Sequence, residues 1–231
     1  MSSENNYKDK WAKPKKRKKK QSNFYYDFVK ITGALPTLLW MRPKVYYPYG
    51  KKKIKGGALI SANHRGFLDP IIVHVVFKSR RLHCLATTDL YNTPRKTWFF
   101  NKMHCIPVDK SNFSISSFHE VVTRLSDGKA VVIFPEGQIN NQASDGLLTF
   151  KSGAVLMAHK SRAPIVPVYI VHRTRWYQRQ RAVVGLPVDV YSMLGERPSL
   201  EDISRVSELL RVKEMELKDY YESLHKKGDK K

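Results

Sequence analysis

Short apolar runs alternate with segments of helical periodicity along most of this 231-residue chain. The runs are mainly aliphatic, which favours strands, and they lie at residues 58–62, 82–86, 130–134, 165–171 and 188–193. The segments between them predict helices, at residues 70–77, 114–125 and 152–159. Strands that alternate with helices are typical of an α/β domain, in which helices cover the faces of one sheet.

The length of the chain and its hydrophobic fraction of 42% suffice for one sizeable core, so we expect one domain with terminal extensions. The expected parts are a basic, disordered tail at 1–22, an amphipathic segment at 23–44, a globular domain at 45–197, and a helix with a basic end at 198–231. Ser199 is expected to cap that last helix. Its apolar positions are Ile203, Val206, Leu210, Leu217 and Leu224.

The chain is strongly basic, with 42 Lys and Arg against 20 Asp and Glu and a formal net charge of +22. This charge favours polyanionic partners, and nucleic acid, anionic lipid and phosphorylated cofactors all fit it. The lysine-rich run at 15–20 carries only part of this net charge. Cys84 and Cys105, the only two cysteines, lack the spacing of a metal site. No 18 consecutive apolar residues occur, so membrane association is expected to be one-sided.

Residues 24–41 carry an apolar stripe at helical spacing. Its members are Phe24, Phe28, Ile31, Leu35 and Leu38. Pro36 is expected to kink or divide this helix. We interpret the segment as an interfacial anchor, with the apolar stripe in the acyl boundary and lysines on anionic headgroups. A buried core helix is the alternative, and a secretory signal is disfavoured because Lys30 interrupts the apolar region.

His64 and Asp69 lie where a predicted strand ends and a predicted helix begins. We expect Asp69 to cap the helix, Pro70 to open it, and Gly66 to let the intervening loop turn tightly. The loop could then fold His64 onto Asp69, whose carboxylate would hold one imidazole nitrogen and leave the other free as a base. A structural histidine beside a capping aspartate is the alternative.

The same spacing recurs at His104 and Asp109. The residues between them look extended, which would place the two side chains far apart on opposite faces of a strand. We therefore expect only the first pair to interact.

The motif NHRGFLDP at residues 63–70, followed by FPEG at residues 134–137, resembles the lysophospholipid acyltransferase superfamily, typified by 1-acyl-glycerol-3-phosphate acyltransferases. Two weaker matches accompany this H-x4-D motif, IPVDK at residues 106–110 and APIVPV at residues 163–168. The resemblance covers roughly residues 45–195. It implies a mixed sheet flanked by helices, so that residues 45–197 would form the acyltransferase domain.

The resemblance also implies a site chemistry. His64 would be the general base, oriented by Asp69, and backbone N–H groups near His64 or Gly137 would stabilise the oxyanion. Glu136 is expected to project from the strand end and to position the acceptor. The acyl donor would be acyl-CoA or acyl carrier protein, with no bound cofactor and no metal. The residues expected to contact substrate are Asn63, Arg65, Lys110, Phe134, Pro135, Glu136 and Gly137.

The chain departs from the family pattern after Gly137, where Gln138, Ile139 and Asn140 replace the usual threonine, arginine and serine. In the family that arginine is associated with the phosphate of the acceptor. Lys110 stands where arginine is frequent, which keeps the charge but loses the bidentate fork. The departures leave open whether the acceptor carries a terminal phosphate.

The leading hypothesis is an O-acyltransferase of phospholipid biosynthesis that acts on a lysophospholipid at the cytoplasmic face of a membrane. An enzyme with a phosphate-free lipid acceptor and a non-catalytic lipid-binding homologue are the alternatives. Nucleic-acid binding is disfavoured, because the basic chain carries no recognisable reading motif.

Overall fold

The computed structural model describes residues 22–109, 114–140, 146–173, 175 and 177–226. These residues form a mixed seven-stranded sheet, as expected. In spatial order its strands are β1 (Lys44–Tyr46), β7 (Arg181–Val184), β6 (Ile165–Val171), β2 (Ala58–Ala62), β5 (Ala130–Ile133), β3 (Leu82–Thr87) and β4 (Ile106–Val108). Neighbouring strands are parallel except β6 and β7, which pair antiparallel. The predicted tail at 1–22 and its lysine run lie almost wholly outside the described residues.

Helices cover both faces of the sheet. They are α1 (Phe24–Met41), α2 (Asp69–Val76), α3 (Pro94–Lys102), α4 (Ile115–Ser126), α5 (Gly153–Ser161), α6 (Val190–Leu194) and α7 (Leu200–Lys226). Side chains of a strand alternate between faces, so Leu59 packs with α4, α5 and α7 while Ile60 packs with α2 and the end of α1. Strands β2 and β5 are buried along their whole length, which explains why their sequences are continuous apolar runs.

One predicted strand differs from the structure, and some elements of the structure were not predicted. The strand expected at 188–193 is reduced to a single bridge between Val188 and Ile165, and α6 follows because Asp189 caps it through the Ser192 amide, 3.1 Å away. Strands β1 and β7 and helix α3 were not predicted. Only four residues form β7, and a run that short gives a weak periodic signal.

The predicted helix at residues 24–41 exists, and its apolar stripe faces away from the protein. Phe24, Ile31 and Leu35 are 79%, 73% and 65% exposed, so the core-helix alternative is wrong for this face. The opposite face holds Tyr26, which is fully buried and accepts a hydrogen bond from the Leu82 amide at 2.8 Å. Helix α1 runs through Pro36 without a break, so the expected division does not occur.

None of the helices in the described ranges combines the length and the apolar character that crossing a membrane requires.

Helix α7 begins as expected, because the Ser199 hydroxyl accepts from the Asp202 amide and the Asp202 carboxylate accepts from the Ser199 amide. Its buried side contains an unexpected charge-bearing residue, Glu214, which lies between Leu210 and Leu217 and has no exposed surface. Its Oε1 accepts a hydrogen bond from the Ser61 hydroxyl at 2.6 Å, which joins α7 to β2. Burial raises the pKa of Glu214 well above the ordinary value for glutamate.

The replacement Glu214→Gln should stabilise the protein increasingly as the pH rises. A glutamate with a raised pKa in the folded state stabilises that state fully only below its unfolded pKa, near 4.5, and the contribution is lost as the pH rises towards the folded pKa. Each unit of pKa difference corresponds to about 1.4 kcal/mol. Free energies of unfolding, measured by denaturant from about pH 5 to about pH 8, should diverge between the variant and the wild type.

The control is Glu216→Gln, which removes an exposed carboxylate from the same helix and should leave the pH dependence unchanged. Parallel stability curves for Glu214→Gln and the wild type would contradict the raised pKa.

Candidate active site

The site lies at the carboxyl ends of two neighbouring parallel strands, where open α/β sheets commonly bind ligands. Strands β2 and β5 pair in register, with Ser61 opposite Ile133. The loops that follow them, residues 63–68 and 134–140, are therefore brought side by side. These loops carry the two motifs singled out in the sequence.

His64 is held by both loops. Its Nδ1 lies 2.9 Å from Asp69 Oδ2, and its ring stacks on that of Phe134 with centroids 4.2 Å apart. The His64 amide donates to Glu136 Oε1 at 3.0 Å, and its carbonyl accepts from the Asn140 amide at 2.7 Å. The side chain is 19% exposed, and its Nε2 has no hydrogen-bond partner within the described ranges. One imidazole nitrogen is thus fixed and the other is presented to the site.

Asp69 does not cap helix α2, contrary to the sequence prediction. Leu68 occupies the N-cap position without a side-chain hydrogen bond, and Asp69 is the first helical residue. Its carboxylate turns back into the loop, where Oδ2 accepts the Arg65 amide at 2.6 Å and the Gly66 amide at 2.7 Å as well as contacting His64. Asp69 is 4% exposed, and this convergence of donors compensates its burial.

Gly66 is not needed for the tight turn, which corrects a second expectation about this loop. Its φ lies outside the left-handed region, and a Cβ at this position would meet no atom within 4 Å. The turn is imposed by the hydrogen bonds to Asp69.

Glu136 is buried at 4% exposure and does not project from the strand end. Its Oε1 accepts from the His64 amide, and its Oε2 accepts from the Leu148 amide at 3.1 Å. A desolvated carboxylate needs such donors, and both are backbone groups on different segments. Glu136 therefore fastens the His64 loop to the segment before α5, and the structure gives it a positioning role for His64.

Four of the backbone amides near His64 and Gly137, where oxyanion donors were expected, already have acceptors. The amides of His64, Arg65 and Gly66 donate to Glu136 and Asp69, and the Gly137 amide donates to the Phe134 carbonyl at 3.0 Å. These four amides are therefore not free for an oxyanion in the described conformation, and a role for other amides near His64 or Gly137 stays a prediction.

The other residues that were predicted to contact the substrate lie in different environments. Asn63 is fully buried, and both ends of its side-chain amide bond the backbone of Ile170, at 3.1 and 2.6 Å, so it joins β2 to β6 and has no exposed surface in the described conformation. Pro135 is also buried. Arg65 is half-buried beside His64, and its role as a substrate contact stays a prediction. Lys110 lies outside the described residues.

The second His and Asp pair behaves as expected for a decoy. The His104 ring is 3% exposed and lies between those of Tyr26 and His83, with centroids 5.2 Å from each. Residues 106–108 form the extended strand β4. His104 is a core residue.

Two residues close to the site loops were not singled out in the sequence: Glu214, which bonds Ser61, and Lys151, whose side chain lies beside Gly137. Glu214 interrupts an apolar stripe at helical spacing, and that interruption was a usable signal. Lys151 follows the second motif by fourteen residues, and no local pattern connects the two. A Cβ added to Gly137, whose φ is +70°, would lie 2.7 Å from the Lys151 Nζ.

Comparisons with known proteins agree with this geometry. A family model described as Acyltransferase matches residues 42–171, which include both site loops. The 1-acyl-sn-glycerol-3-phosphate acyltransferase of Bacillus subtilis is 28% identical over 195 residues, covering 80% of this chain and 95% of the relative. A probable 1-acyl-sn-glycerol-3-phosphate acyltransferase of Mycoplasma pneumoniae is 32% identical over 126 residues, which are 51% of this chain and 45% of that one.

The fold has a solved counterpart as well. The crystal structure of the 1-acyl-sn-glycerophosphate (LPA) acyltransferase PlsC from Thermotoga maritima superimposes with a TM-score of 0.59, at 17% identity, and covers 85% of this chain and 79% of its own. At 17% identity, this similarity shows a shared fold and no more.

The replacement Asp69→Ala should destabilise the protein by about 1–3 kcal/mol, because it leaves the partly buried Arg65 and Gly66 amides without their acceptor. Asp69→Asn keeps an acceptor oxygen at that place and should cost less. Asp219→Ala, an exposed aspartate on α7, is the control and should change stability little. Denaturant unfolding measures all three, and equal losses for the alanine and asparagine variants would contradict the acceptor role.

Proposed function

This chain belongs to the acyltransferase family, and we propose that it transfers a fatty acyl group from a thioester donor to the hydroxyl group of a lysophospholipid such as 1-acyl-glycerol-3-phosphate. The observation that carries the proposal is the His64 imidazole, fixed through Nδ1 by Asp69 and open at Nε2. The curated relatives described above bear the name of that activity, which supports the choice of acceptor class.

The geometry suits general-base catalysis by His64. An imidazole that donates its Nδ1 proton to a carboxylate keeps the Nε2 lone pair free to accept another proton. His64 Nε2 takes the proton of the acceptor hydroxyl while the hydroxyl oxygen attacks the thioester carbonyl. The new C–O bond forms, the C–S bond breaks, and the proton passes from Nε2 to the departing thiolate. Neither a metal nor an acyl-enzyme intermediate is needed to balance this step.

The rigidity of the base is the protein's main contribution to this mechanism. The His64 backbone is bonded on both sides, to Glu136 and Asn140, and its ring is packed on Phe134. Such constraints keep a catalytic group in the reactive orientation before the substrate binds, which lowers the entropic part of the barrier. A non-catalytic lipid-binding homologue does not require an oriented imidazole with an open nitrogen, so this geometry favours the enzyme.

The acyl donor in this proposal is acyl-CoA or acyl carrier protein. Both present the acyl group as a thioester on a phosphorylated carrier, and the net charge of +22 favours phosphorylated partners.

The proposed place of action is the cytoplasmic face of an anionic membrane. The exposed stripe of α1 offers large apolar side chains that would leave water on contact with lipid, each gaining up to about 1.5–3 kcal/mol on full burial. Phe67, in the same loop as His64, is 74% exposed, and Ile71 on α2 is 42% exposed. Exposed apolar side chains thus occur both on α1 and beside His64, where a lipid acceptor must arrive.

Ile139 favours a second candidate, an acceptor without a terminal phosphate. It stands where the family has an arginine, and it is 40% exposed at the edge of the site loop. This candidate keeps the chemistry of His64 and changes only the headgroup.

The replacement His64→Ala should lower acyl transfer by at least about 100-fold while the fold is kept, because a general base contributes roughly 100- to 10,000-fold. Purified protein, labelled acyl-CoA and 1-acyl-glycerol-3-phosphate in mixed micelles give the measurement. His119→Ala, at an exposed histidine of α4, is the control and should retain activity. A folded His64→Ala variant with wild-type turnover would refute the mechanism.

Replacing Phe28, Ile31 and Leu35 together with glutamine should weaken binding to both neutral and anionic vesicles, since the lost contribution is apolar burial. The matched control replaces three exposed apolar residues of α7 with glutamine, and it should leave vesicle sedimentation unchanged. Those residues are Leu200, Val212 and Leu224. Unchanged sedimentation of the α1 variant would remove α1 as the membrane contact.

A further inference from the structure

The site loop lacks the arginine that would pair with an acceptor phosphate, and an apolar side chain occupies its position. Ile139 can offer a phosphate neither charge nor a hydrogen-bond donor. An acceptor that carries a phosphate therefore needs a cation from another part of the chain, close to the loop that holds His64.

Lys151 brings an ammonium group to that loop. A Cβ on Gly137 would lie 2.6 Å from the Lys151 Cε and 2.7 Å from its Nζ, so the end of the lysine side chain lies across the Gly137 backbone. The Lys151 amide donates to the Pro135 carbonyl at 2.9 Å, which fixes the start of the side chain beside the same loop. Only a glycine leaves room for this arrangement, because any side chain at residue 137 would displace the ammonium.

The ammonium is available to a ligand. Lys151 is exposed, and no carboxylate in the described ranges pairs with it. The carboxylate of this loop, Glu136, is buried and accepts from the backbone amides of His64 and Leu148. A cation that has no counterion among the described residues, next to a carboxylate that already accepts two hydrogen bonds, attracts an external anion.

We propose that Lys151 binds the phosphate of the acceptor and replaces the arginine that Ile139 displaced. The inference rests on the proposed function, since it assigns the acceptor of that reaction as a phosphate monoester. The acceptor's phosphate is favoured over a phosphate of the donor because Lys151 adjoins the loop that holds the His64 backbone, and His64 takes the acceptor's proton. An ammonium suits the contact, since it is a compact charge with three donors.

The test compares Lys151→Gln with Lys151→Arg, and Lys160→Gln, an exposed lysine at the far end of α5, is the matched control. Initial rates are measured with 1-acyl-glycerol-3-phosphate and with 1-acylglycerol, which lacks the phosphate, at varied acyl-CoA. We expect Lys151→Gln to raise the KM for the phosphate-bearing acceptor about 10- to 100-fold, the contribution of a charged hydrogen bond. The KM for acyl-CoA and the rate with 1-acylglycerol should stay unchanged, and Lys151→Arg should restore most of the loss.

Three results would overturn the inference. These are an unchanged KM for the phosphate-bearing acceptor, an equal loss with 1-acylglycerol, and a shift confined to acyl-CoA, which would assign Lys151 to the donor.

A binding measurement separates this inference from the proposed function. Calorimetry with a short-chain, soluble 1-acyl-glycerol-3-phosphate compares His64→Ala with the double variant His64→Ala, Lys151→Gln. Weaker binding by the double variant supports Lys151 even if the wild type transfers no acyl group, in which case only the proposed function fails. Equal binding by the two variants refutes the inference, whatever the activity of the wild type.

Discussion

Oδ2 of Asp69 receives the backbone amides of Arg65 and Gly66 and lies within hydrogen-bond distance of the His64 ring. Burying a carboxylate to 4% exposure costs much free energy unless hydrogen-bond donors surround it. Here the donors are amides of the same loop whose path the carboxylate fixes. The same hydrogen bonds that offset its burial therefore fix the path of the loop and the orientation of the imidazole. A substitution that removes this acceptor would loosen the loop and the imidazole together. The stability of the loop is therefore coupled to the geometry of the base.

Glu136 repeats this arrangement from the opposite loop. Its two carboxylate oxygens are divided between the amides of His64 and Leu148, so the histidine is held through its ring by one carboxylate and through its backbone by another. Beneath them Glu214 bonds Ser61 at the end of β2, and burial raises its pKa, which favours the neutral acid. Ionised Glu136 would add to that shift by repulsion. The site is thus built on buried acidic groups: Asp69 and Glu136 accept hydrogen bonds from the surrounding backbone, whereas Glu214 is bonded through Oε1 alone.

Much of this fold could be predicted from the sequence because its central strands are buried on both faces and read as continuous apolar runs. The family and the pairing of His64 with Asp69 were predicted for the same kind of reason, since both depend on short motifs. The predictions that were wrong concern hydrogen bonds that the sequence pattern does not determine. The sequence does not show whether a carboxylate such as Asp69 will bond the helix ahead of it or the loop behind it, and Asn63 gave no sign that Ile170 would occupy both ends of its amide.

The same distinction explains how acceptor choice can change without a change in the motif chemistry. The position of Lys151 is set by the hydrogen bond of its amide to Pro135 and by the space above Gly137, and neither depends on the residue at 139. An isoleucine in place of arginine at position 139 removes one cation. It leaves Lys151 in place, together with the carboxylates that hold His64. In the proposed assignment, recognition of the headgroup depends on Lys151 and orientation of His64 depends on Asp69 and Glu136, so the first can vary while the second is kept.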